Sequence, residues 1–195
     1  MLELTFESTA PMTQGEFFEW VDDRSRWDPN HYELLNGRAV MNPPAGYPHG
    51  EIDANVIRLL GGFVAERRLG KVFGSSQGFE LPSGDTVEPD ASFVSRERWQ
   101  SAPPPEPGKF LRVVPDLVVE IISVGTASRD RGEKKAIYER NGVREYWLVD
   151  WRARELTVLH LAGDRFGPGT ALAESERARS RVLEGLEFLV SEVLP

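Results

Sequence analysis

Residues 115–151 read PDLVVEIISVGTASRDRGEKKAIYERNGVREYWLVDW. The stretch predicts strand, turn, helix, strand. Asp116 to Ser123 is an apolar run rich in β-branched residues, the pattern of a strand buried on both faces. Glu120 interrupts it. A carboxylate there costs free energy to bury unless a neighbour neutralises it, which makes the position the first indication of function. Asp130 and Glu133 have the spacing of a helix N-cap pair, and Asn141-Gly142 supplies a left-handed stop. Between them Asp130, Lys134 and Tyr138 recur every fourth residue and share one helical face. Glu145 to Asp150 reads as a second strand. A strand–helix–strand unit of this size favours a parallel pair with a right-handed crossover, so that Lys134 can reach back toward Glu120. The alternative is an ordinary crossover carrying a surface lysine.

Upstream, Met1 to Pro11 reads as a loosely held lead-in. Thr13 and Glu16 form a capping box before a short helix to about Asp22, whose apolar side packs on the sheet. Asn36-Gly37 lies between two apolar-rich runs, His31–Leu35 and Arg38–Met41, and predicts a hairpin. Glu33 sits on its first strand; an exposed edge carboxylate or a partner for Arg38 is the plainer reading. The loop from Asn42 to Pro48 delivers His49 to a helix over about Gly50–Arg67, with Ile52, Val56, Leu59, Leu60 and Phe63 as its buried stripe. A histidine there suits capping as well as chemistry, and Glu51 and Asp53 suit the helix macrodipole without any chemistry. Val72–Leu81 and Thr86–Val94 read as two strands around the Pro82–Asp85 turn. Asp90 heads the apolar part of the second. Pro103–Gly108 is a stiff connection, too short to separate domains with cores of their own. Leu156–Leu161 is a returning strand, in which His160 takes a structural role. Gly163–Ser180 reads as a loop with a weak strand, and Val182–Leu194 as a closing apolar segment.

The chain has 195 residues and a formal net charge of -8, with no cysteine. One domain over 1–195 is expected, with its core over about 13–161 and an extension over 162–195. Disulfides and thiolate metal sites are excluded. No apolar run is long enough to span a bilayer and the start of the chain carries no leader pattern, so a cytoplasmic protein without a membrane partner is expected. The acidic balance argues against a generic phosphate-backbone binder, though not against an enzyme whose carboxylates attract a divalent cation.

Asp90 and Glu120 on neighbouring strands repel unless a proton or cation lies between them. Hard divalent cations take carboxylate and carbonyl oxygens and keep several waters, so Mg²⁺ or Mn²⁺ held by Asp90, Glu120 and the Ile121 backbone carbonyl is a coherent metal set. Lys134 beside it would stabilise charge on a phosphoryl oxygen.

The string EPDASFV, PDLVVEIIS, D-R-G-E-K-x-x-x-Y and NGVREYWLVD resembles the Uma-type restriction endonuclease family, a branch of the PD-(D/E)XK nuclease superfamily. YELLNGRAV and the P-P-x-G-x-x-H segment match as well, so the resemblance covers roughly Phe17 to Leu161. It implies an α/β (α+β) fold with a restriction-endonuclease-like core, a central mixed sheet flanked by helices in the order α-β-β-β-α-β. It implies a Mg²⁺-dependent nuclease acting on DNA, with Asp90, Glu120 and Lys134 as its catalytic residues. In the common superfamily pattern the lysine lies two residues after the acid. Here that position is Ile122, and the family's displacement of the lysine to the helix fits Lys134, with Lys135 second. Glu33, His49, Gln77 and Tyr138 fall where supporting polar residues are expected, and a homodimer follows by analogy. One departure is Ser123-Val124-Gly125-Thr126, where the family has Ser-Pro-Ser-Thr, which puts that loop's geometry in question. Two readings of other classes stand beside the nuclease: a nuclease-like fold that binds without cutting, and an interaction domain in which Asp90, Glu120 and Lys134 form a buried ion-pair network.

Overall fold

The structure is a computed structural model, described here for residues 7–24, 28, 30–42 and 44–195. The elements in chain order are α1 (Gln14–Arg24), β1 (His31–Leu35), β2 (Arg38–Asn42), α2 (His49–Arg67), β3 (Gly70–Gly74), β4 (Phe79–Glu80), β5 (Thr86–Val87), β6 (Ala91–Ser95), α3 (Arg96–Ser101) and β7 (Leu117–Ile121). A short α4 (Ala127–Arg129), a π-helical turn (Asp130–Lys134) and α5 (Lys135–Arg140) form the crossover to β8 (Glu145–Asp150). They are followed by β9 (Glu155–Ala162), β10 (Arg165–Phe166), β11 (Thr170–Ala173), β12 (Arg177–Arg179) and β13 (Glu187–Leu189).

The central sheet has seven strands in the order β10-β9-β8-β7-β6-β3, with β11 also paired to β9. Only β7 and β8 run parallel, with Glu120 opposite Leu148; the rest is antiparallel. The sheet is therefore mixed, and α2-β3-β6-β7-α5-β8 follows the expected core order. Every residue of β7 is buried, because helices cover both faces. Leu117, Val119 and Ile121 pack against the α2 stripe of Ile52, Val56, Leu60 and Val64. Val118 and Ile122 face the other way, with Ile137 and Tyr138 of α5. The two-residue period of a strand thus turns Glu120 toward α5.

A second, four-stranded sheet, β2-β1-β5-β4, covers that face. The Asn36-Gly37 turn has both residues at positive φ, 50° and 79°, as a tight hairpin requires. The Thr13/Glu16 capping box forms, with the Thr13 N–H donating to Glu16 at 2.8 Å. Phe17 of α1 packs on Tyr32, Leu34 and Ala39 of this small sheet. Tyr32 and Leu34 face α1, which turns Glu33 inward.

Several boundaries differ from the sequence expectation. The lead-in is held where it is described: Ser8 and Met12 donate backbone hydrogen bonds to Ala39 and Gly37, and Met1–Phe6 lie outside the described residues. Val72–Leu81 and Thr86–Val94 are not two continuous strands. Each divides between the sheets, β3 and β6 in the central one, β4 and β5 in the small one. A side chain at Gly78 would stand 2.3 Å from the Phe110 ring, and Pro89 has no N–H for a ladder; these mark the two crossings. The 163–180 loop carries β10, β11 and β12. The extension is no appendage, since Ala178, Leu183, Leu186, Phe188, Val190, Val193 and Leu194 complete the α2-side core.

Glu145 fastens that C-terminal segment. Fully buried, it accepts from the Trp147 indole at 2.6 Å and from the backbone N–H groups of Arg181 and Val182 at 2.8 and 3.0 Å. His160 lies 3.5 Å from it, half-buried, in the structural position expected. Glu145→Ala leaves four donors without their acceptor, the Trp147 indole, the Ser180 hydroxyl and the Arg181 and Val182 N–H groups, at about 1–3 kcal/mol for each that is buried. The denaturation midpoint should fall by the equivalent of roughly 3 kcal/mol or more, and proteolysis should begin in 177–195; an unchanged midpoint would refute the anchor.

Candidate active site

The ends of β6 and β7 meet the start of α2 and the π-helical turn around a cleft of about 490 Å³. Its lining includes His31, His49, Asp53, Glu88, Asp90, Glu120, Ile121, Asp130 and Lys134. A concavity of similar size, about 480 Å³, lies between α1 and Pro103–Glu106, away from these groups.

Lys134 is the centre of the buried charge. Its side chain is 4% exposed and lies 3.0 Å from Glu33 Oε1 and 2.5 Å from Glu120 Oε1. Tyr138, one turn on, donates its hydroxyl to Glu120 Oε1 at 2.6 Å. The surface-lysine alternative is overturned: the helical face of Lys134 and Tyr138 is buried against the sheet. So are the plainer readings of Glu33, which is fully buried. Arg38 instead contacts Glu7 and the Ser8 and Thr9 carbonyls. Glu33 also accepts from the Glu88 N–H and from Asn42, both at 2.8 Å. The Asp85 carboxylate accepts from the Asn36 N–H at 2.7 Å and pairs with Arg140 at 2.5 Å, which fixes α5, and so Lys134, against the hairpin carrying Glu33.

Asp130 and Glu133 do not cap a helix. The helix begins a turn earlier, at Ala127. Asp130 is buried inside it, 2% exposed, and Glu133 accepts from Asn36. The wide turn of a π-helix keeps Asp130 and Lys134 on the inner face.

Asp90 stands just before β6. Its Oδ2 accepts from the Ile121 N–H at 2.6 Å, and its Oδ1 lies 3.2 Å from His49 Nε2. Ile122 donates to Val149 across β7–β8, so by strand alternation the Ile121 N–H and carbonyl both face the Asp90 edge. Asp90 is therefore bonded to the backbone beside Glu120. His49 is in the first turn of α2, after Pro48 as N-cap; it faces Asp90 rather than capping. Gln77 is not brought in, since its amide donates to the Gly78 carbonyl. Lys135 points away and pairs with Glu139 at 3.7 Å.

Burial opposes the charge on Lys134, but Glu120, Glu33 and Asp130 outweigh it and hold the ammonium protonated. Burial pushes the Glu120 carboxyl well up; Lys134 pulls it down, while Asp130, Asp90 and Glu33 push further. Both directions follow from one ammonium serving two buried carboxylates. The Asp130 carboxyl is pushed up to about 6, by burial against the pull of Lys134 and the Thr126 hydroxyl. Burial lowers His49, and Asp90, Asp53 and Asp130 more than restore it. The cleft floor thus holds more carboxylate than cation, the condition under which a divalent ion gains most. Among the described residues no three His, Asp or Glu side chains converge as a ready-made metal cage. The donor set fits an ion of the magnesium class that keeps its waters: Asp90, Glu120 and the Ile121 carbonyl would hold it.

Asp53 and Asp130 are the lining residues that sequence reasoning passed over as a macrodipole charge and a cap. The signal was present. Asp53 lies four residues after His49, on the same helical face, as Asp130 does before Lys134.

A family model, Uma2, described as "Putative restriction endonuclease", matches residues 16–191. No curated protein matches the chain. Among solved structures, the crystal structure of a "putative nuclease belonging to DUF820" from Anabaena variabilis ATCC 29413 is similar over 94% of this chain and 97% of that one. The TM-score is 0.74 at 17% sequence identity, a likeness of fold.

Proposed function

We propose, for a chain that belongs to the Uma2 family, that it hydrolyses DNA phosphodiester bonds with a divalent cation, Mg²⁺ or Mn²⁺, at Asp90 and Glu120. The observation that carries this is Lys134, buried between Glu33 and Glu120 beside a cleft that also holds Asp90. The cation would neutralise the phosphate and lower the pKa of the attacking water. Asp90 and Glu120 would hold it; the Ile121 N–H fixes the Asp90 carboxylate. Lys134 and Tyr138 fix Glu120, and the ammonium adds positive charge at the cleft floor, where charge builds on the phosphoryl oxygens. Water attacks phosphorus and loses a proton to solvent, the P–O bond to the leaving sugar oxygen breaks, and that oxygen takes up a proton from solvent.

Two exposed side chains support a nucleic-acid substrate despite the acidic net charge. Among the described residues, Tyr47 and Val124 are the exposed large hydrophobics, at 86% and 62%. Each sits on a loop that lines this cleft, beside Gly46 and His49 or beside Ser123. Stacking of a base on such a ring contributes about 1–3 kcal/mol. Tyr47→Ala should therefore weaken DNA binding roughly tenfold in anisotropy titrations and leave the cleavage rate of bound DNA unchanged.

Among the described residues no helix is long and apolar enough to cross a membrane; a cytoplasmic location and a homodimer that cuts both strands belong to this proposal. The second reading, binding without cutting, is favoured by Glu120 Oε1 being taken already by Lys134 and Tyr138. Supercoiled, linear and single-stranded DNA incubated with Mg²⁺ or Mn²⁺, and with a chelator, separates the two. Metal-dependent cleavage supports the nuclease; binding without cleavage supports the alternative.

A further inference from the structure

Helix α2 brings two side chains to the cleft. His49 meets Asp90, and Asp53 follows one turn later on the same face. A carboxylate near a helix N-terminus is favourable without any chemistry, and an exposed Asp53 would need no other account. Asp53 is not placed that way. It lines the cleft with Asp90 and Glu120, and its Oδ1 is shielded from solvent with no hydrogen-bond donor.

Such an orphaned acceptor costs on the order of 1–3 kcal/mol. Its neighbours are better served. Glu33 Oε1 has the Glu88 N–H and Lys134, Asp90 Oδ2 has the Ile121 N–H, and Glu120 Oε1 has Lys134 and Tyr138. Among the described residues, Asp53 Oδ1 is the one buried carboxylate oxygen left in this state. Burial, and then the charge of Asp90, also push its carboxyl above the ordinary range, against the pull of His49. A carboxylate of this kind, on the lining of a cleft shared with Asp90 and Glu120, is an acceptor open to a donor that arrives with a ligand.

We propose that Asp53 completes the cation site from the helix side, its carboxylate accepting a hydrogen bond from a water of the hydrated cation held at Asp90 and Glu120. The inference rests on the divalent-cation reading above. Direct coordination is not required, because ions of the magnesium class retain several waters. That also agrees with the lack of a three-residue cage among the described residues. Asp53 is then a positioning residue that orients solvent on the helix side of the ion.

The test is calorimetric titration of Mn²⁺ alone into wild type, Asp53→Asn, Asp53→Ala and Glu120→Gln, with thermal melts of each in the absence of metal. Removing such an outer partner weakens metal binding about 10–100-fold. Both Asp53 variants should lose affinity by about tenfold or more, while their metal-free melting temperatures stay level or rise as the unpaired carboxylate charge is removed. Unchanged affinity in both, with binding lost in Glu120→Gln, overturns the role of Asp53 alone. A metal-free melting temperature several degrees lower in both variants assigns Asp53 to the fold and also overturns it. Absence of binding in wild type overturns the cation reading, and this inference with it.

Discussion

Lys134→Met should destabilise the protein by about 3–5 kcal/mol at pH 8, the scale for breaking a buried ion pair on one side. The cause is local. Glu33 and Glu120, at 0% and 6% side-chain exposure, both look to the same ammonium. Without it, two buried carboxylates face each other across the space it filled. Burial already pushes the Glu120 carboxyl up, and loss of the Lys134 charge that pulls it down raises it further above its unfolded value, so stability is retained below the unfolded pKa and lost as pH rises through the folded one. The deficit should be largest at pH 8 and shrink toward pH 5. Adding Glu33→Gln removes one of the opposed charges and should restore most of the midpoint in urea at pH 8 without restoring cleavage. If Lys134→Met is as stable as wild type at pH 8, the buried charge arrangement is wrong.

The same geometry changes what this residue can decide. On sequence grounds, loss of stability on removing Lys134 would separate an interaction domain from an active site. With the ammonium enclosed by two acids, both readings predict that loss. The discrimination passes to Glu120. Glu120→Gln keeps the shape, and its amide oxygen can still accept from Lys134 and from Tyr138, whose hydroxyl lies 2.6 Å from Glu120 Oε1. The substitution also removes one charge from a site with an excess of carboxylate. Clustered functional charges commonly cost stability, so the metal-free melting temperature should hold or rise. Cleavage should fall roughly 100-fold or more, as when one preorganised electrostatic partner is removed, and Mn²⁺ binding should be lost. A stable variant that still cuts would remove Glu120 from the chemistry.

The strand–helix–strand around Glu120 was legible because the strand pattern and the helix stop agreed. The β-branched run predicts a buried strand, Asn141-Gly142 ends the helix, and both hold. Asp130 was misread for a definite reason. The D-x-x-E spacing is the same whether the helix starts there or a turn earlier, and only the docking of Ala127 on the α5-side core decides. The π-helical turn has no local signature, since it depends on tertiary pairing of Lys134. The division of Val72–Leu81 between two sheets rests on Phe110, distant in sequence, filling the space above Gly78. Glu33 could not be placed before the small sheet was known to cover that face. Asp53 was passed over because a macrodipole charge and a cleft carboxylate look alike along a sequence.

The most direct measurement is single-turnover cleavage of a labelled DNA oligonucleotide by wild type and Glu120→Gln across a Mn²⁺ series. The wild-type rate should rise with Mn²⁺ and saturate at the concentration where calorimetry shows the site filled, with no cleavage by the variant above the chelated control. Equal cleavage by both proteins, or a filled site in wild type with no cleavage of any DNA form, would contradict an active centre at Asp90, Glu120 and Lys134.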